Sequence, residues 1–264
     1  MQFANFAERI KGMILYFSAT GNSHYVAQKI AEATGDKIIS IETLVKEKRF
    51  ELSTNEDEAL GIVTPTYFWG LPHIVEEFLA HLNIRLASGC YVYLVATYGT
   101  TTGAIGKISR CILSRKLIRL QGEYCVRMPD TWTPMFNLSD KAKNERRLIK
   151  AQADLEIIIN NIRHRAAETK MRGKAPLLLG KLYHATYKKA RNTHHFHVID
   201  DKCVGCGLCQ RQCPISAIAL QNGKPKWVAE LCLACLRCLH NCPAFAIQYG
   251  RNTLKHGQYV CPLR

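Results

Sequence analysis

Eight of the chain's twelve cysteines fall in the forty residues from Cys203 to Cys242. Their spacing repeats. Cys203, Cys206, Cys209 and Cys213 are followed by Pro214; Cys232, Cys235, Cys238 and Cys242 are followed by Pro243. Both runs are C-x2-C-x2-C-x3-C-P, offset by 29 residues, and both close on the phrase C-P-x-x-A-I, at Cys213 to Ile218 and Cys242 to Ile247. The segment is therefore an internal duplication. Evenly spread cysteines would read as buried thiols; crowded ones are ligands or staples, and spacing decides which.

The spacing is that of bacterial two-cluster ferredoxins. Three closely spaced thiolates wrap three corners of a [4Fe–4S] cubane, while the fourth, fixed by the following proline, reaches the other cluster. That pattern assigns Cys203, Cys206, Cys209 and Cys242 to cluster 1, and Cys232, Cys235, Cys238 and Cys213 to cluster 2. Structural zinc uses paired C-x2-C and gives a third cysteine two residues on no role. Disulfides need an oxidising compartment, and no secretory h-region precedes the first apolar run, so a cytoplasmic chain is expected. Cys90, Cys111, Cys125 and Cys261 match no ligand spacing and read as small buried hydrophobes.

Within 264 residues there is room for a medium domain beside this small one. Upstream, the apolar runs 13–17, 37–40, 60–64, 91–97 and 123–127 alternate with helix-length stretches at 22–34, 72–83, 103–120 and 139–165. Such alternation predicts a parallel sheet with helices on both faces. Five strands in this length fit the α/β doubly wound order 2-1-3-4-5. The organisation read from the sequence is 13–163, a basic helical connector 164–197, a small α+β dicluster domain 198–250 and a tail 251–264. Residues 1–12 carry no matching pattern and read as a frayed extension or as sequence ahead of a true start at Met13. No apolar run approaches the length of a membrane span.

Three loops follow the first, third and fourth strands to one sheet edge, where ligands of such folds bind. The first, Ser18-Ala-Thr20-Gly21-Asn22-Ser23, opens a helix; hydroxyls and unsatisfied N–H groups there make an anion site. Neither the lysine of a P-loop nor G-x-G-x-x-G is present, which suits a monophosphate. The second loop carries Thr66, Tyr67, Phe68, Trp69 and Gly70, and the third runs from Thr97, Tyr98 and Gly99 to Gly103. They supply aromatic rings for a flat heterocycle and backbone that can approach its polar edge. Three consecutive aromatics cannot all face one core, so at least one faces the ligand.

The segment Ile14 to Ser23 resembles the flavodoxin signature, and residues 13–249, including Met128-Pro-Asp130 and Gly223-Lys-Pro225, resemble the flavodoxin–ferredoxin fusions called EFR1-family ferrodoxins. The resemblance implies FMN as a further cofactor. Its phosphate would lie on Ser18, Thr20, Gly21, Asn22 and Ser23, its ring against Tyr67 or Trp69, and its pyrimidine edge at Tyr98 to Gly103. Simple flavodoxins are strongly acidic and this chain is not.

The formal charge is +15, of which residues 164–197 contribute +7 from eight basic and one acidic side chain. Each cubane with four thiolates carries about −2 and an FMN phosphate about −2, leaving roughly +9. The stretch Pro176 to Arg191 predicts a helix with an apolar Leu/Tyr side and a basic side. It can pack between the domains, steer an acidic redox protein partner through Lys174, Lys181, Lys188, Lys189 and Arg191, or meet an anionic surface; nucleic acid is not the expected partner. The connector's five histidines read as exposed surface without a metal. An electron carrier of an anaerobic cytoplasm is expected. Two other readings stand beside it: an FMN reductase fed by the clusters, with Asp130, Trp132, Tyr98 or Tyr67 lining a substrate pocket, and a redox-sensing module.

Overall fold

The computed structural model describes residues 12–172 and 175–263. Residues 1–11 and the steering candidate Lys174 lie outside them. Strands β1 (Met13–Tyr16), β2 (Lys37–Ser40), β4 (Ala59–Pro65), β6 (Tyr91–Tyr98) and β7 (Gly122–Arg127) form one sheet in the order β2-β1-β4-β6-β7, every pair parallel. This is the expected doubly wound order. All eight residues of β6 are buried, as a central strand covered on both faces must be.

Helices α1 (Asn22–Thr34) and α5 (Lys141–Arg163) cover one face, where Val26 and Ile30 join a core with Leu148, Leu155 and Ile158. Helices α2 (Ile41–Lys46), α3 (His73–His81) and α4 (Ile105–Ser114) cover the other, with Leu44, Phe78 and Ile108. A parallel pair β3 (Glu51–Ser53) and β5 (Asn83–Arg85) lies outside this sheet. Each has one half-buried apolar residue between exposed polar ones, too short a pattern to announce a strand.

The connector is tied down along its length. Glu123 N–H donates to Glu168 O and Lys170 N–H to Glu123 O, extending the edge at β7; Thr102 N–H donates to Arg172 O and Ala175 N–H to Gly103 O. Two short helices follow, α6 (Leu177–Ala185) and α7 (Tyr187–Ala190). Their packing departs from an apolar side buried between domains. Tyr187 is buried, but Leu178 and Leu182 are 72% and 62% exposed, because the inner face of α6 is taken by Gly180 and His184. A Cβ at Gly180 would lie 2.1 Å from that of Ala104, so only glycine allows this approach.

The C-terminal domain is built on two short antiparallel ladders, with a one-turn helix in each cysteine repeat. Strand β8 (Phe196–Val198) pairs with β11 (Ile247–Tyr249), and β9 (Ile218–Gln221) pairs with β10 (Lys224–Trp227) through a turn at Asn222-Gly223, both at positive φ. Helices α8 (Leu208–Arg211) and α9 (Arg237–His240) occupy equivalent places in the two cysteine repeats, and α10 (Thr253–His256) lies in the tail. The duplication extends to the backbone: Gly205 and Ala234, Gly207 and Leu236, and Ser216 and Phe245 are all at positive φ, each pair 29 residues apart.

Candidate functional site

The three loops meet at the C-terminal edge of the sheet and line a cavity that opens to solvent. Ser18, Thr20, Asn22, Ser23, Thr66, Tyr67, Phe68, Trp69, Thr97, Tyr98 and Gly99 line it. Gly21, Gly70 and Gly103 do not; they shape the loops. Gly21 opens α1 at φ +98°, no side chain caps that helix and its first turn carries no acidic residue, so its amide end is open to an anion. Ser23 and Thr97 hydroxyls hydrogen-bond at 2.8 Å, joining the first loop to the third. Thr66 Oγ1 is buried at the cavity wall with no hydrogen-bond partner among the described residues, an acceptor and donor left for a ligand.

Phe68 and Trp69 form the tip of a tight turn closed by reciprocal Tyr67 and Gly70 backbone hydrogen bonds of 2.9 Å. Both are at positive φ, 46° and 66°, a conformation that costs bulky residues energy and must be held from outside. The holders come from neighbouring elements. Gly103 lies under Trp69, where a Cβ would approach the Trp69 Cβ to 2.2 Å, and Ala104 N–H donates to Trp69 O. Tyr183 lies tilted 4.4 Å from Trp69, and Tyr187 stacks 5.3 Å from Phe68. All three aromatics line the cavity, although Tyr67 also packs edge-on against Phe17 and Tyr187.

Further lining residues come from the segment after β7 and from outside the three loops: Met128 to Trp132, Met135, Phe136, Tyr183 and Ala234. Asp130 and Trp132 were readable as pocket residues, but Tyr183 and Ala234 had no local signal. Asp130 accepts from Trp132 N–H at 3.2 Å, and burial raises its carboxyl above the usual range. Its side chain lies over Gly99, where a Cβ would come within 2.1 Å of Asp130 Oδ2.

Two smaller cavities lie in the C-terminal domain. One is lined by Cys203, Cys206, Cys209 and Cys242; the other by Cys213, Cys232, Cys235 and Cys238. Each cavity thus draws three thiols from one repeat and the fourth from the other. The sulfurs ring a space: among the described residues no three His, Cys, Asp or Glu side chains are placed to hold a single ion. Burial pushes the Cys232 thiol up to about 12 and raises Cys235, Cys238 and Cys209, so a bare thiolate is disfavoured there without a cation to replace its proton. Backbone N–H groups of Ala217, Ala234 and Ala246 donate to the sulfurs of Cys213, Cys232 and Cys242 at 3.2, 3.2 and 3.3 Å. Of the remaining cysteines, Cys261 is buried and Cys90, Cys111 and Cys125 are half-buried.

A family model for the flavodoxin domain matches residues 13–147, and one for a 4Fe-4S dicluster domain matches residues 196–243. The chain belongs to the flavodoxin family. Its cofactors are accordingly FMN and [4Fe–4S] clusters, and it is an electron-transfer flavo-iron–sulfur protein. Similar solved structures include a Fusobacterium nucleatum flavodoxin bound to flavin mononucleotide, 16% identical over 60% of this chain and 99% of that one, TM-score 0.37. They also include the two-electron reduced Megasphaera elsdenii flavodoxin, 18% identical over 55% of this chain and 98% of that one, TM-score 0.33. Rubredoxin oxygen:oxidoreductase from Desulfovibrio gigas is 15% identical over 58% of this chain and 37% of that one, TM-score 0.33. No curated protein matches the chain. No helix among the described residues is long and apolar enough to cross a membrane.

The flavodoxin and dicluster domains are joined by polar contacts around the first loop. Arg237, between Cys235 and Cys238, donates to Ser18 O at 2.7 Å and to Gln212 O at 2.9 Å, and pairs with Glu42. His240 accepts from Tyr259 N–H at Nδ1, so its Nε2 carries the proton donated to Thr131 O at 2.9 Å; burial holds this imidazole neutral, its pKa lowered to about 4. Ala234, between Cys232 and Cys235, lines the flavodoxin-domain cavity, while its neighbours Leu233 and Cys235 line a thiol-lined one, so one short backbone segment borders both. One connector histidine is not surface: His184 on α6 is half-buried, its Nδ1 3.1 Å from both Tyr67 O and Phe68 O and its Nε2 3.3 Å from Glu76.

Proposed function

We propose that residues 13–163 hold FMN and residues 198–250 hold two [4Fe–4S] clusters, the connector 164–197 and the tail 251–264 fastening one to the other, as in the EFR1-family fusions. Ser18, Thr20, Gly21, Asn22 and Ser23 receive the phosphate; the turn at Thr66–Gly70 and the loop from Thr97 to Gly103 receive the ring. Cys203, Cys206, Cys209 and Cys242 hold one cluster and Cys213, Cys232, Cys235 and Cys238 the other. Bound FMN exchanges one or two electrons and each cluster one, so the set can gather single electrons and deliver pairs, or the reverse. The protein's own part is to bring the sites into contact, keep water from the joint and set potentials through N–H···S bonds and burial.

The observation that carries this reading is the segment Leu233–Cys235, where Ala234 lines the flavin cavity and the residues on either side of it line the cavity of the Cys232 set. It ranks the sites in space: flavin cavity, then the buried Cys232 set, then the set whose Cys206 is exposed. Electrons can thus enter or leave at either end. At the flavin end the mouth is rimmed by Tyr183 and the exposed Met135, and α6 presents Leu178 and Leu182 beside exposed Lys181. An apolar patch edged by lysines suits an acidic redox protein. Anaerobically purified protein should contain about eight irons and one FMN; stoichiometric zinc with little iron would refute the assignment.

A second reading has one specific observation in its favour. Asp130 is a carboxyl in the flavin cavity with its pKa raised by burial, a group suited to proton donation to a small substrate. Steady-state oxidation of the reduced protein by a small acceptor, lost in Asp130→Asn, would select it.

A further inference from the structure

The four residues Gln258–Cys261 lie between the cluster segment and the phosphate loop and bond to both. At one end Gln258 Nε2 donates to the carbonyls of Leu239 and Cys242, at 2.6 and 2.8 Å, and Tyr259 N–H donates to His240 Nδ1 at 3.1 Å. At the other end Tyr259 Oη donates to Asn22 Oδ1 at 3.0 Å, and Cys261 N–H donates to Thr20 O at 2.8 Å. The Asn22 amide is fixed from both sides, since its Nδ2 donates to Pro129 O at 3.2 Å. Tyr259 and Cys261 are buried in the core that α1 and α5 form on the sheet.

None of residues 258–261 lines the flavin cavity. Thr20 and Asn22 do, and Cys242 is the crossing thiol of the exposed cluster set. We propose that Gln258–Cys261 is a strap that couples the two sites: an ordered cluster segment seats the strap, and the seated strap holds Thr20 and Asn22 where a flavin phosphate needs them. These residues act by positioning, through backbone, amide and hydroxyl groups, and they bring no charge to the phosphate. A pre-formed cradle binds its anion without first ordering the loop, so the strap raises FMN affinity without touching FMN. Because coupling between two binding sites is reciprocal, bound FMN favours retention of the cluster to the same degree.

The inference rests on the FMN and cluster assignments above, and the test separates the two. Equilibrium FMN dissociation is read from recovery of flavin fluorescence on anaerobic dilution of the holoprotein, with iron counted in each sample. Tyr259→Phe keeps the ring in its core and removes the hydroxyl that meets Asn22 and the Cys261 thiol; the FMN Kd should rise about fivefold, with iron unchanged. Gln258→Ala removes hydrogen bonds made only to the cluster segment, yet should also raise the FMN Kd. Stripping iron from the wild type with a chelator should weaken FMN binding as well, and should add less in Tyr259→Phe than in the wild type, the non-additivity expected of one shared route. Unchanged FMN affinity in both variants, or a chelation effect of the same size in wild type and Tyr259→Phe, overturns the strap. A holoprotein without FMN or iron overturns the site assignments instead.

Discussion

Arg237 and Glu42 form an ion pair of 2.7 Å across the boundary between the dicluster and flavodoxin domains, with 14% and 15% of their side chains exposed. The same guanidinium donates to the Ser18 carbonyl, so one side chain fixes the phosphate loop, helix α2 and the cluster segment together. Removing one partner of a shielded pair leaves the other charge uncompensated, which costs about 3 kcal/mol. Arg237→Met should lower the denaturant midpoint of the holoprotein accordingly, and the loss should persist at high salt. Lys29→Met, which breaks the exposed Lys29–Glu32 pair on α1, should leave the midpoint unchanged.

Gly205 and Ala234 are equivalent in the two repeats, and both hold positive φ, 67° and 46°. Glycine accepts this freely; alanine pays about 1 kcal/mol. Alanine is retained where its methyl packs with Tyr187 and Ala190 at the joint to the flavin cavity. At Gly205 a Cβ would come within 2.9 Å of Gly223 O. Gly205→Ala should therefore destabilise the exposed cluster selectively, taking iron from about eight toward four while FMN stays bound. Ala234→Gly should keep full iron and instead loosen FMN. Iron and flavin counts on the two purified variants distinguish these outcomes.

The flavodoxin-domain order, the meeting of the three loops and the grouping of eight thiols around two cavities were legible because each rests on a short-range signal: apolar runs, a helix start after a strand, a fixed cysteine spacing. Ala234 and Tyr183 were not, since nothing around them in sequence marks a cavity whose other lining residues all lie between Ser18 and Phe136. Tyr259 and Cys261 were read as tail and bystander for the same reason. The outward leucines of α6 reverse the usual rule that an amphipathic helix hides its apolar side. The inward side is set by Gly180 and His184, whose fit against Ala104 and the Tyr67–Gly70 turn no periodicity reports.

The exposed lysines of α6 and α7 bear on association rates. Lys181, Lys188 and Lys189 are exposed, and exposed charges steer ligands in a salt-dependent manner. Oxidation of the reduced protein by hexacyanoferrate(III), an anion, should slow several-fold as ionic strength rises from about 10 to 300 mM. Hexaamminecobalt(III), a cation, should show the opposite trend. The triple variant Lys181→Glu, Lys188→Glu, Lys189→Glu should flatten both dependences. A salt-independent rate with either oxidant would remove steering from the account.

His184 gives the flavin turn a pH dependence. Burial disfavours its charged form, but the hydrogen bond and charge of Glu76, helped by the Tyr67 and Phe68 carbonyls, outweigh burial, and its pKa is raised above the ordinary 6.5. Only the imidazolium can donate from both nitrogens, Nδ1 to the turn carbonyls and Nε2 to Glu76. The other groups near it are His73, whose own charge opposes protonation, and the neutral Tyr187 ring 5.5 Å away. A folded pKa above the unfolded one means that protonation stabilises the fold fully below pH 6.5, and that this contribution fades as pH rises through the folded value. His184→Gln should therefore cost more stability at pH 6 than at pH 9, with the two proteins converging at the alkaline end in denaturant titrations. Since the strained Phe68 and Trp69 depend on the same clamp, FMN fluorescence of the wild type should rise over that alkaline window as the turn loosens. A difference between the proteins that does not vary with pH would show that His184 acts by packing alone.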